Sequence, residues 1–119
     1  MGKQFLKVTD TDALDKLLLT SNHRPVVVFK HSNSCPISAA AYREMQQLEE
    51  EVVLVEVQHA RQLSRELADR TGIRHESPQV IVLRDGKAVW NASHYRVNAR
   101  EVAKALEANG SQSTGLSDG

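Results

Sequence analysis

The chain contains a single cysteine, Cys35, among its 119 residues. One thiol cannot close an internal disulfide, so the disulfide-stapled secreted scaffold is excluded. A reducing cytoplasm is the expected location. Charge of one sign is also missing: 15 basic and 15 acidic residues leave a formal net charge of zero. That balance lacks the basic footprint of a nucleic-acid binder. Aromatics are sparse, and the lone tryptophan, Trp90, reads as core or rim rather than as a base-stacking platform. No apolar run is long enough to cross a membrane. The opening "MGKQFLKVTD" is too polar for a signal peptide. The five histidines are scattered, and one cysteine adds little to a zinc ligand set. Neither a Walker A loop nor a dinucleotide glycine fingerprint is present. No metal site, nucleic-acid partner or membrane partner is therefore expected.

What remains is ordinary for one globular domain, with 40% hydrophobic and 25% charged residues. The end, "NGSQSTGLSDG", is polar and non-periodic. Residues 1–110 are expected to form the domain and 111–119 a disordered tail.

"TDTDALDKLLLT" starts with Thr9 as a capping residue and continues as a helix through Leu14, Leu17 and Leu18. "PVVVFK" is a short apolar run that suits a strand covered on both faces. "PISAAAYREMQQLEE" places Ile37, Ala41, Met45 and Leu48 on one helical face. "VVLVEVQ" is a second β-branched run. "RQLSRELADRTG" is a helix with Leu63 and Leu67 inward, stopped by Gly72. "PQVIVLRDGKAVWNA" is a hairpin turning on Asp85-Gly86. In "VNAREVAKALEANG", Asn98 caps a last helix and Val97 and Val102 staple it. Strands alternating with helices need right-handed parallel crossovers, and the late hairpin adds an antiparallel pair. The fold class is α/β: a central mixed sheet with helices on both faces, three layers in all.

The chemistry concentrates in "KHSNSCPIS". Proline is favoured at the first helical position, so Pro36 makes Cys35 the N-cap. The N–H groups of Ile37 and Ser38 would then point at the sulfur, and the helix adds about half a positive charge there. Both effects favour thiolate over thiol. Ser38 stands one turn on, where its hydroxyl could donate to the sulfur. It cannot be a second thiol, so a disulfide formed at Cys35 must be opened by an outside thiol. His31, at the end of the preceding strand, would help as an imidazolium if it faces the sulfur. Equally, it is a polar residue at a strand end. Free cysteines are often inert and buried; the polar run before Cys35 and the proline after it put this one at an element end instead. Pro78 stands at a strand start, where either peptide isomer is tolerated.

These elements together, with the cysteine at a helix start and a proline before the "QVIVL" strand, resemble the thioredoxin fold over nearly the whole chain. "FKHSNSCPIS" is similar to the monothiol bacilliredoxins, with Ser34 where that family has threonine. The resemblance implies that Pro78 is a cis-proline facing Cys35, and that the backbone of Ser77 pairs with the bound thiol compound. It further implies that Cys35 attacks mixed disulfides between client proteins and bacillithiol, a small cytosolic thiol acting as co-substrate, with no bound cofactor. Bacillithiol carries carboxylates, so cations are wanted near Cys35. Arg74 and His75 are placed to supply them, with Arg61 a weaker candidate, although a solvated surface charge is the commoner role for such an arginine.

Three other readings compete. One is a thioredoxin-fold binding module in which the cysteine is incidental, since fold alone never fixes function. Another is an iron–sulfur carrier like the monothiol glutaredoxins, which Pro36 disfavours by stiffening the loop and crowding the sulfur. The third is a one-cysteine peroxide reductase, with Ser32 in place of that family's threonine, although the chain is short for it.

Overall fold

The computed structural model describes residues 5–110; the tail at 111–119 lies outside the described residues. In chain order the elements are β1 (Leu6–Lys7), α1 (Thr11–Thr20), β2 (Val26–His31), α2 (Pro36–Met45), β3 (Val52–Glu56), α3 (Arg61–Thr71), β4 (Gln79–Arg84), β5 (Lys87–Ser93), a 3-10 turn (His94–Arg96) and α4 (Ala99–Ala108). The five strands form one sheet in the order β1-β3-β2-β4-β5. β1 and β2 both run parallel to β3, whereas β4 pairs antiparallel with β2 and with β5. The expected mixed sheet is present. β1 was not expected, because two residues are too few to show a period; it exists through its pairing with β3.

Alternation along the central strands divides the core into two layers. Val27 and Phe29 of β2, with Val80 and Val82 of β4, pack against Ala41 and Met45 of α2 and Val102 and Leu106 of α4. Val26 and Val28, with Ile81 and Leu83, pack on the other face against Leu14 and Leu17 of α1 and Leu63 and Leu67 of α3. This two-sided burial explains why β2 and β4 read as continuous apolar runs.

Most local signals hold. Gly72 closes α3 in the left-handed conformation at φ 74°. Asp85 and Gly86 both take positive φ, 56° and 79°, as a tight hairpin turn requires. Asn98 caps α4 by accepting from the Glu101 N–H at 2.9 Å. At α1 the cap is Asp10 rather than Thr9: its Oδ1 accepts from the Ala13 N–H at 3.1 Å. The carboxylate is the better partner for the positive helix end. α2 ends at Met45, so Leu48 reaches the core from the turn after the helix and not from its face.

Candidate functional site

Cys35 occupies the N-cap position of α2, with extended backbone angles (φ −112°, ψ 123°) and Pro36 opening the helix. It is half-buried, and Pro36 beside it is exposed. The expected sulfur cap is absent: the Cys35 side chain accepts no hydrogen bond from the first helical turn. A thiol is a weak acceptor, so little holds it in the capping rotamer.

Ser38 departs from expectation for a related reason. The spacing rule that sets residues three apart side by side applies within a helix, and Cys35 lies just outside one. Ser38 is fully buried. Its Oγ accepts from the Ser32 N–H at 2.9 Å and lies 3.0 Å from His31 Nδ1. Of these two partners only the imidazole can accept, so the hydroxyl proton goes to His31. Ser38 thus fastens the loop before Cys35 to the end of β2.

His31 is not the expected imidazolium. Burial pushes its pKa below the ordinary value, opposed by the charge of Glu56 and by the Ser38 backbone. A lowered value keeps the ring neutral at pH 7, consistent with Nδ1 accepting from Ser38. The ring also packs within 5.5 Å of Phe29 and 5.0 Å of Tyr42, centroid to centroid. Its part is structural: it seats Ser38 rather than charging the sulfur.

The segment 74–79 carries the remaining expected site residues. The Ser77–Pro78 peptide bond is cis, Pro78 is buried, and the Ser77 hydroxyl is buried without a partner among the described residues. The segment is braced by a pair that composition alone does not suggest. Lys30 and Gln79 face each other across β2 and β4. The fully buried Lys30 Nζ donates to Gln79 Oε1 at 2.9 Å. Gln79 Nε2 in turn donates to the Arg74 carbonyl at 2.9 Å, and the Glu76 N–H to Gln79 Oε1 at 3.4 Å. Burial lowers the Lys30 pKa to about 8, with the charge of Glu76 pulling the other way. The available signal was a polar residue intruding into each of two apolar strand runs.

The basic residues divide. The Arg74 side chain is exposed, and its charge acts on Glu76, whose carboxylate accepts from the Ser93 hydroxyl. His75 instead lines a cavity with Arg61 and Arg65 of α3. The weaker candidate, Arg61, thus shares a cavity with His75, and Arg74 does not line it. Gln58, which sequence reasoning passed over, joins this cavity to the loop before Cys35: its Oε1 accepts from the Asn33 N–H at 3.3 Å and its Nε2 donates to Ser32 Oγ at 3.1 Å. Ile37 lies on the other side of the helix start, in a groove with Ala40, Tyr95 and Val97. Among the described residues no group of His, Cys, Asp and Glu could hold a metal ion, and no helix is long and apolar enough to cross a membrane.

The chain is similar to known proteins. A family model described as monothiol bacilliredoxin BrxC matches residues 6–102. A solved structure assigned as an oxidoreductase with a thioredoxin fold is 33% identical, at a TM-score of 0.77 over 84% of this chain and 91% of that one. Fasciola hepatica thioredoxin superposes at a TM-score of 0.70 with 17% identity, over 88% of this chain and 99% of that one. Spinach chloroplast thioredoxin f does so at 0.69 with 19% identity, over 89% and 93%. The two thioredoxins show the shared fold.

Proposed function

The chain belongs to the monothiol bacilliredoxin family, within the thioredoxin fold, and we infer that it is a thiol–disulfide oxidoreductase acting on protein mixed disulfides through Cys35. The thiolate of Cys35 attacks the small-thiol sulfur of a mixed disulfide between a client protein and bacillithiol. The client leaves as a thiolate, and a new disulfide joins Cys35 to bacillithiol. A second bacillithiol thiolate attacks that disulfide, returning Cys35 and leaving bacillithiol disulfide. One disulfide is broken and one formed at each step, so electrons balance: one bacillithiol is consumed from solution, and the other half of the bacillithiol disulfide comes from the mixed disulfide itself. Client proteins and bacillithiol, or a similar low-molecular-weight thiol, are the partners, and the reaction belongs in the cytoplasm.

The observation that carries this reading is the pairing of a half-buried N-cap cysteine with a buried Ser38 one turn on. The position at which a second thiol would resolve the disulfide holds a hydroxyl committed to His31 and Ser32. Resolution must come from solution. Cys35 and Pro36 face the disulfide, Ile37 covers its apolar side, and the Ser77 backbone beside Pro78 pairs with the small thiol. Ser38 and His31 act by positioning the loop.

Intact mass spectrometry tests the reading. Protein incubated with bacillithiol disulfide should gain one bacillithiol mass, absent in Cys35→Ser and removed by fresh bacillithiol. Glutathione disulfide run in parallel identifies the preferred thiol. No adduct from either compound refutes the reading.

A further inference from the structure

The cavity against α3 has a composition that the fold does not require. It measures about 460 Å³, and its wall includes Gln58, Arg61, Ser64, Arg65 and His75, with Asp69 toward the far end of the helix. Arg61 and Arg65 stand one turn apart, where like charges repel. Neither arginine is in an ion pair among the described residues. The helix end adds to the imbalance. Its N-cap is Ala60, which supplies no side-chain acceptor, and its first turn holds no acidic residue. Positive charge therefore collects at the N-terminal end of α3, with Asp69 the acidic residue of the cavity wall, two turns from Arg61.

An independent observation points the same way. Ser64 is 4% exposed, yet its hydroxyl has no hydrogen-bond partner among the described residues. Buried polar groups are nearly always satisfied, so an orphan hydroxyl in a cavity wall marks a place where something else is accommodated. Arginine and a hydroxyl together suit a carboxylate, which takes paired N–H donors and a further O–H. The cavity also adjoins the loop that precedes the thiol. Gln58 is bonded to the loop that leads into Cys35, and His75 lies three residues before the cis-proline.

We propose that the α3 cavity is a carboxylate subsite, in which Arg61 and Arg65, with Ser64 and His75, hold an acidic arm of the low-molecular-weight thiol whose sulfur exchanges at Cys35. The proposal rests on Cys35 being the exchanging thiol, and its test has one arm that does not depend on that. In the first arm, full-length Cys35→Ser protein is titrated with bacillithiol, succinate and 2-mercaptoethanol while the side-chain NMR signals of His75 and the two arginines are followed. Bacillithiol should move these signals and 2-mercaptoethanol should not. The double variant Arg61→Gln/Arg65→Gln should weaken binding by roughly tenfold per arginine. Both arginines are exposed, so the variant is expected to fold; Ser64→Ala, which breaks no bond, serves as a milder second variant with a few-fold loss. In the second arm, Cys35 is modified by bacillithiol disulfide and by the uncharged hydroxyethyl disulfide. Wild type should prefer the former, the preference should shrink with salt, and the double variant should lose it while keeping its hydroxyethyl rate. Signals that move with succinate but not with bacillithiol, or a preference that survives in the double variant, overturn the subsite. Failure of both disulfides to modify wild-type Cys35 sinks the redox reading instead, and the first arm still decides the cavity.

Discussion

Lys30 offers the sharpest quantitative test of this structure. Its ammonium is fully buried between two strands, with one neutral acceptor, Gln79 Oε1, at 2.9 Å. Burial lowers its pKa from 10.5 to about 8. For a base held below its ordinary value, the unfolded chain binds the proton over a range where the folded chain has lost it. Stability therefore rises with pH from about 8 to 10.5, and below that window the folded state carries the full cost of the buried charge. The gap between 10.5 and about 8 corresponds to roughly 3 kcal/mol at about 1.4 kcal/mol per pH unit. Between pH 7 and pH 10 most of it, roughly 2 to 3 kcal/mol, should be recovered. Lys30→Met removes the charge, keeps the volume and leaves Gln79 Oε1 its bond from the Glu76 N–H. Urea unfolding at pH 7, 8, 9 and 10 would be measured for both chains in a Cys35→Ser background, which takes thiol titration out of the comparison. The variant should match or exceed the parent at pH 7, and the parent should overtake it or close the gap by pH 10. Two parallel stability curves would refute the argument, because they would mean that Lys30 titrates alike in both states.

Three further outcomes follow from the same geometry. Ser38→Ala should cost about 1–3 kcal/mol in urea unfolding, because it leaves the Ser32 N–H and His31 without their buried partner; it should also slow Cys35 exchange, and a variant with unchanged stability would deny Ser38 its fastening role. The His31 ring should titrate below the ordinary histidine value by NMR, since burial is the largest influence on it. A lowered base loses stability as pH falls from about 6.5 through the folded value, so His31→Gln should flatten the stability curve there. At α1, Asp10→Ala should cost about 1 kcal/mol while Thr9→Ala changes little, because the capping oxygen belongs to Asp10; equal effects would return the cap to the earlier residue.

The site was legible to different depths. Cys35 before Pro36 announced a helix start, and the start is there. The same reading assumed that the sulfur and Ser38 behave as neighbours on a helix, and they do not. Cys35 is extended, and Ser38 turns inward to a histidine seven residues back. The basic residues divide for a similar reason. Arg74 and His75 are adjacent in the chain, yet only His75 enters the cavity. Which residue of a loop faces inward depends on what packs beneath it, and here that is the Lys30–Gln79 pair holding the Arg74 carbonyl.

By itself the sequence determined what neighbouring residues impose on one another. Proline at a helix start, Asp-Gly in a hairpin, glycine at a helix end and two central strands rich in valine all act through local sterics and burial pattern, and each appears where it was read. Only the tertiary structure decided the states of the functional groups. His31 is neutral because Phe29 and Tyr42 bury it. Lys30 has a lowered pKa because burial takes it from water, and its side-chain partner among the described residues is a neutral amide 49 residues away. Arg61 and His75 line one cavity although they lie 14 residues apart in the chain. Charge and hydrogen bonding depend on distance and solvent, and the chain sets those for residues far apart in sequence only once it has folded.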